Sequence, residues 1–199
     1  HIDELGVDVL CFTGHKSLHG PTGTGGLLIG PRAEVAGTRW GGTGVRSAEI
    51  VQPQQLPYRL ESGTLNAVGL AGLQAGLESL AKQTPAEATR APGLAALFVR
   101  GCRKIDGLRL LGYADDEEFG DLERTPVVSL TLDALPPHAV GEFLDAEWNI
   151  AVRTGLHCAP LIHEALGTSP EGAVRFGFGA TNTEQDVEHA LRALAELAS

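Results

Sequence analysis

The chain has 199 residues, of which 43% are hydrophobic, so it is long enough for one ordinary domain or two small ones, and extensive disorder is excluded. Its 25 acidic and 15 basic residues give a formal net charge of −10, which argues against an electrostatic nucleic-acid binder. No apolar stretch approaches the ~18 residues of a transmembrane helix. We therefore expect neither nucleic acid nor a membrane as partner, and we predict no metal site.

The cysteines indicate a reducing compartment. There are three, an odd number without paired spacing, which favours free thiols and a cytoplasmic location over a disulfide scaffold. Cys11 and Cys102 lie in apolar surroundings and are expected to be buried core residues. The sequence starts at His1 and contains no methionine. We interpret it as the C-terminal portion of a longer protein.

The first part of the chain predicts two strands and one helix. Apolar runs at 7–12 and 25–30 are bounded by turn signals and are typical of short buried strands. Residues 31–63 carry prolines and a Gly-rich cluster and are expected to be irregular. Leucines at helical spacing predict a helix over 66–82, and Pro85 marks a break after it.

The remainder mixes helices with short strands. We predict helices over 86–104, which contains Pro92, and 137–147, and strands over 108–111, 127–132, 150–152 and 173–178. Thr183 is the expected N-cap of a final helix with acidic residues in its first turn. This order predicts a small α+β domain over 85–199, preceded by the tail of a larger α/β domain over 1–84.

Lys16 is a candidate reactive amine. It follows an apolar run and lies in a loop rich in glycine, with His15 before it and Gly20, Gly23 and Gly25 after it. Such a loop permits close backbone approach to a ligand. A lysine at this position suits covalent attachment of a flat, phosphate-bearing cofactor, although many loop lysines are simply solvated.

A second candidate group surrounds Cys158. Gly155 and Pro160 favour a loop there, in which a thiol is accessible, whereas the commoner alternative is a buried, inert cysteine. Arg153 and His157 provide the cation and donor that favour a nucleophilic thiolate. Arg153 and Arg175 each follow a valine in an apolar run, where an unpaired cation is costly, so a carboxylate ligand suits both.

Four segments carry a resemblance to a known family, in the order and at about the spacing of that family. They are Gly14-His15-Lys16 with its Gly-rich tail, Arg59-Leu60-Glu61-Ser62-Gly63-Thr64-Leu65-Asn66, Arg153-Thr154-Gly155-Leu156-His157-Cys158-Ala159, and Val174-Arg175-Phe176 ahead of Asn182-Thr183. On these residues the chain resembles, essentially from end to end, the C-terminal portion of a cysteine desulfurase. The resemblance is to the second group of these enzymes, within the class V, fold-type I pyridoxal-phosphate enzymes.

This resemblance implies pyridoxal 5′-phosphate as cofactor and a homodimer. Lys16 would then be the lysine that binds the cofactor covalently and moves protons at the substrate carbon, and His15 would contact the cofactor phosphate. Thr43 would reach the phosphate site of the partner subunit. The aspartate that pairs with the pyridine nitrogen in this family would lie before His1.

The resemblance also implies a sulfur-accepting thiol. Cys158 would take sulfur from L-cysteine as a persulfide and pass it to an acceptor protein, in sulfur metabolism such as iron–sulfur cluster assembly. Arg175 would anchor the substrate carboxylate, and Arg153 would support the same end of the site.

Three alternatives remain open at the level of sequence. The same lysine and cysteine suit a selenocysteine lyase. Another class V aminotransferase or lyase would carry Cys158 by chance. A catalytically inactive interaction domain would retain the fold without the reaction.

Overall fold

The computed structural model describes residues 2, 4–113 and 124–199. The chain folds into two compact units, His1–Gln83 and Thr84–Ser199. None of the helices in the described part is long and apolar enough to cross a membrane.

The first unit contains a two-stranded antiparallel sheet and one helix. Strand β1 (Val9–Thr13) pairs with β2 (Gly25–Ile29), and helix α1 spans Ala67–Ala81. The helix predicted over 66–82 is present and is one residue shorter at each end. Asn66 is its N-cap, and the Asn66 side chain accepts a hydrogen bond from the Gly69 N–H at 2.9 Å. The segment 31–63, predicted to be irregular, has neither helix nor strand.

The predicted burial of these two strands is wrong, and so is the predicted core position of Cys11. Leu27 and Leu28 are 41% and 48% exposed, and the Cys11 side chain is also exposed. The reason is that β1 and β2 pair only with each other within the described part of the chain. A run of apolar residues predicts a strand, but it does not show what covers that strand.

The second unit is a four-stranded antiparallel sheet packed against helices. Its strands have the spatial order β3-β4-β6-β5. In chain order the elements are α2 (Pro85–Cys102), β3 (Leu108–Leu110), β4 (Val127–Leu132), α3 (Pro137–Trp148), β5 (Arg153–Gly155), α4 (Pro160–Ala165), β6 (Ala173–Gly177) and α5 (Glu184–Ala198). Buried residues from α2, α3, α5, β4 and β6 form one core.

The helix ends follow from their capping residues. Thr84 and Glu87 form a capping box, so Pro85 is the first residue of α2, and the helix continues through Pro92. The predicted start of α5 is confirmed, because Thr183 and Asp186 form a second capping box.

Strand alternation separates a core face of the sheet from a polar face. Val128 and Leu130 on β4 are fully buried, opposite Phe176 and Val174 on β6. Arg175, between these two β6 residues, therefore projects to the opposite face. The strand predicted at 150–152 actually begins at Arg153, and the six-residue helix α4 was not predicted because it is too short to show a period.

Candidate active site

Lys16 lies in a loop that the backbone closes tightly. The Gly14 N–H donates to the Thr24 carbonyl at 2.9 Å, and the Gly20 N–H donates to the Gly14 carbonyl at 2.8 Å. The Lys16 carbonyl accepts from the His19 N–H at 3.0 Å, while its side chain is exposed. The loop thus fixes the lysine backbone and leaves the amine accessible.

Two glycines on α1 allow this loop to lie directly on the helix. A Cβ at Gly76 would come within 2.6 Å of the Leu18 carbonyl oxygen, and a Cβ at Gly72 within 2.5 Å of the Pro21 ring. Because the two glycines are four residues apart, they occupy the same helix face. The position of the Lys16 loop therefore depends on the absence of side chains at these two positions.

His15 is held by its neighbour. Its Nδ1 lies 2.9 Å from Oγ1 of Thr13, which leaves Nε2 available to a ligand, and the ring is exposed. A primary amine can form an imine with an aldehyde, and an imidazole N–H can donate a hydrogen bond to a phosphate. The residues of this loop thus fit a pyridoxal-phosphate cofactor.

Thr43 is half-buried on the wall of a cavity of about 350 Å³. Within the described residues, the lining of this cavity comes entirely from the segment between Trp40 and Pro53. This cavity therefore does not bring Thr43 to Lys16, and the role of Thr43 stays a prediction.

Cys158 is exposed on a short loop of the second unit, in contact with Arg153. Nη2 of Arg153 donates to Sγ of Cys158 at 3.3 Å. The carbonyl of Arg153 lies 3.0 Å from Nε2 of His157. Since a carbonyl only accepts, Nε2 is the protonated nitrogen in the neutral His157 ring, and Nδ1 carries the lone pair. Arg153 thus orients both residues of the His157-Cys158 pair.

The backbone of this pair is strained. His157 and Cys158 have φ values of 54° and 60°, in the left-handed region that non-glycine residues rarely adopt. Each such residue costs about 1–2 kcal/mol. Strain of this kind persists where the surrounding contacts impose it, and it concentrates at functional sites.

Two arginines face one another beside the Cys158 loop. Arg153 on β5 is the register partner of Arg175 on β6, so both project from the same face of the sheet. The Arg175 side chain is half-buried. Partial burial lowers the pKa of His157 below its usual value, and the positive charges of Arg175, His163 and Arg153 act in the same direction. The hydrogen bond to the Arg153 carbonyl opposes this shift.

Sequence reasoning missed His163 and Thr168. Both are buried, and Nδ1 of His163 lies 2.7 Å from Oγ1 of Thr168. The His163 ring also contacts the His157 ring, with the centroids 5.6 Å apart. The available signal was a histidine five residues after the candidate thiol, but the short α4 gives no periodicity to place it.

The three thiols differ in their surroundings. Cys102 is fully buried in the core, and burial raises its thiol pKa well above the usual value. Cys11 and Cys158 are exposed. Across residues 2, 4–113 and 124–199, no group of three or more His, Cys, Asp or Glu side chains is arranged to hold a metal ion.

The sequence matches the Aminotransferase class-V family over residues 1–190, and the chain belongs to that family. Its curated relatives include cysteine desulfurases. It is 34% identical over 203 residues to a probable cysteine desulfurase of Mycolicibacterium paratuberculosis, covering 99% of this chain and 28% of the relative. It is 31% identical over 202 residues to the cysteine desulfurase CsdA of Escherichia coli, covering 97% of this chain and 46% of the relative.

Solved structures of cysteine desulfurases have the same fold. The apo enzyme of Thermococcus onnurineus NA1 superposes with a TM-score of 0.78 at 28% identity, over 99% of this chain and 48% of that chain. CsdA of Escherichia coli gives a TM-score of 0.77 at 27% identity, over 98% of this chain and 47% of that one. The predicted α/β fold class is confirmed, and the chain spans about half the length of these structures.

Proposed function

We propose that the protein to which this chain belongs is a pyridoxal-phosphate-dependent cysteine desulfurase, which removes sulfur from L-cysteine to give alanine and an enzyme persulfide. The observation that carries the proposal is the contact between Arg153 and the exposed Sγ of Cys158, on a strained loop beside Arg175. Class V aminotransferases use pyridoxal phosphate, and the relatives named above are cysteine desulfurases.

Lys16 and His15 are the proposed cofactor residues of this chain. The Lys16 amine is the attachment point, and the His15 imidazole, oriented through Nδ1 by Thr13, donates to the phosphate. Thr43 is proposed to contact the phosphate bound by the partner subunit of a homodimer. When bound, the cofactor supplies an electron sink for the substrate carbon.

Cys158 is the proposed sulfur acceptor. Its thiolate is the proposed nucleophile, and the permanently charged Arg153 lies within hydrogen-bond distance of its sulfur. Arg175, with support from Arg153, is proposed to bind the substrate carboxylate, since a half-buried and an exposed guanidinium group on one sheet face suit a bidentate anion.

The proposal also covers the domain division, the sulfur acceptor and the location of the protein. Residues 1–84 are assigned to the large cofactor-binding domain and 85–199 to the small C-terminal domain. A sulfur-acceptor protein, a role in iron–sulfur cluster assembly and a cytoplasmic location are further parts of the proposal. The free state of all three cysteines is compatible with a reducing compartment.

The test uses the full-length protein and two substitutions with matched controls. Lys16→Ala should remove the cofactor absorbance, whereas Lys82→Ala should retain it, and borohydride reduction should leave the pyridoxyl group on Lys16. Cys158→Ala should abolish sulfide release from L-cysteine, whereas Cys11→Ala should not.

The outcomes also separate the alternatives. Cysteine turnover that survives Cys158→Ala would assign the protein to another class V aminotransferase or lyase. Turnover confined to selenocysteine would identify a selenocysteine lyase. A full-length protein that binds no cofactor would be an interaction domain.

A further inference from the structure

His163 and Thr168 form a buried polar pair in a region otherwise short of buried polar groups. Among residues 2, 4–113 and 124–199, only three polar side chains are buried, and these two are joined to each other. His163 is 4% exposed and Thr168 is 7% exposed. A buried polar group costs stability unless it is hydrogen-bonded, and here each residue satisfies the other.

Thr168 binds His163 through both backbone and side chain. Its N–H donates to the His163 carbonyl at 2.8 Å, and its Oγ1 contacts Nδ1 of the ring at 2.7 Å. Gly167, which lies between the end of α4 and Thr168, has φ 67° and turns the chain back onto the helix. The His163 imidazole is thus fixed through Nδ1, and the remainder of the ring can contact another residue.

The same segment is tied to the strand that leads into the Cys158 loop. The Gly172 N–H donates to the Thr168 carbonyl at 2.6 Å. Gly172, with φ 83°, lies against the backbone of Gly155, and a Cβ there would overlap the Gly155 carbonyl. The segment that connects β5 to β6 is therefore held together where Gly172 meets Gly155. Thr168 links this contact to His163, because it bonds both Gly172 and the His163 ring.

His163 contacts the residue beside the candidate thiol. Its ring centroid is 5.6 Å from that of His157, with 47° between the planes. On its other side, His157 is held through Nε2 by the Arg153 carbonyl. His157 is therefore fixed between Arg153 and His163, and its left-handed backbone continues directly into Cys158.

We propose that His163, fixed by Thr168, is a positioning residue that holds His157 and the left-handed Cys158 in the geometry in which Arg153 contacts Sγ of Cys158. The physical reason is the strain in the loop: two consecutive left-handed residues relax unless contacts oppose the relaxation. The inference rests on the proposed function of Cys158 as the sulfur-accepting thiol.

The test measures the alkylation rate of Cys158 by iodoacetamide in the full-length holoprotein, from pH 6 to 9, by peptide mass mapping. Thr168→Val removes the hydroxyl and keeps the shape. It should slow alkylation at pH 7 about three- to tenfold, the effect of one net hydrogen bond. The pH profile of that rate should change with it. Thr168→Ser should restore the wild-type rate and profile.

A second variant and matched controls complete the test. His163→Gln keeps a hydrogen-bonding group for Thr168 but removes the ring that contacts His157, so it should also slow alkylation. The controls are Thr89→Val, which removes a threonine hydroxyl bonded to the Pro85 carbonyl, and His189→Gln, which removes a ring in tilted contact with Trp148. Both should leave the alkylation rate unchanged.

The groups whose charge lowers the pKa of His157 come from three elements: Arg153 from β5, Arg175 from β6 and His163 from α4. An unchanged rate and pH profile in either folded variant would overturn the positioning role, even if its melting temperature falls. A wild-type Cys158 that reacts no faster than Cys11 would overturn the proposed role of the thiol itself, and the inference with it. The two failures are therefore distinct.

Discussion

Arg153 and Arg175 lie directly opposite one another on neighbouring antiparallel strands, as register partners on the polar face of the sheet. Like charges directly opposite one another on paired strands destabilise a sheet. Within the described part of the chain, no carboxylate forms a salt bridge with either arginine. The pair therefore costs stability in the absence of a ligand and suits an anion that binds both guanidinium groups.

Arg175→Lys should raise the KM for the amino-acid substrate about tenfold or more in the full-length enzyme. Lysine keeps the charge but loses the planar fork, and a hydrogen bond to a charged group contributes about 1.5–3 kcal/mol. Cofactor content, read from absorbance, should change little. Arg192→Lys on α5 is the matched control. An unchanged KM in Arg175→Lys would remove this residue from the substrate site.

Arg175→Gln should stabilise the ligand-free protein while it weakens substrate binding. Removal of one charge relieves the cross-strand repulsion, which is worth about 0.2–1 kcal/mol for a pair in this relationship. The melting temperature without substrate should therefore rise. A lower melting temperature would show that Arg175 contributes packing or hydrogen bonds that outweigh the repulsion from Arg153.

Limiting alkylation should label Cys158 and spare Cys102. Cys158 is exposed and contacts a permanent cation, whereas Cys102 is fully buried and its thiol pKa is raised. Arg153→Gln should slow labelling of Cys158, because the uncharged amide stabilises a thiolate less well. Cys11 is the informative control, since it is exposed without such a contact described for it. Faster labelling of Cys11 than of Cys158 would contradict the role of Arg153.

Sequence patterns predicted the elements whose signals are local. Thr183 and Asp186 are a capping box that a reader can find in the sequence, and the start of α5 is where that pattern places it. The alternation of Val128 and Leu130 with polar residues is equally local and predicts a half-buried strand. The motifs around Lys16 and Cys158 identified the family for the same reason.

The features that sequence did not predict depend on contacts between distant segments. The exposure of Cys11 depends on what packs against β1, which an apolar run does not encode. The shift of β5 to Arg153 follows from its pairing with Arg175 on β6. The role of His163 depends on a turn at Gly167 that returns Thr168 to the ring. None of these leaves a periodic signal in the sequence.

Gly76→Ala should reduce cofactor content although alanine is the better helix former. In an open helical position this change stabilises by up to about 1 kcal/mol. At Gly76, however, the new Cβ meets the backbone carbonyl of Leu18 at 2.6 Å and displaces the loop that carries Lys16. Gly93→Ala on α2 is the matched control, because a Cβ there has no atom within 4 Å. It should raise the melting temperature and retain the cofactor. Equal behaviour of the two variants would contradict the packing of the Lys16 loop on α1.

The pH dependence of stability should report the lowered pKa of His157. Partial burial and the charges of Arg175, His163 and Arg153 disfavour the protonated ring in the folded protein, so its folded pKa lies below the unfolded value of ~6.5. As the pH falls below ~6.5, the unfolded chain binds more protons at this site than the folded chain does, and folding loses stability. The melting temperature of the wild type should therefore fall relative to that of His157→Gln between pH 7 and pH 5, while the difference stays constant above pH 7.5. A difference that is constant throughout would show that His157 titrates equally in the folded and unfolded states. A difference of the opposite sign would mean that the Arg153 carbonyl, which favours the protonated ring, outweighs burial and the neighbouring charges.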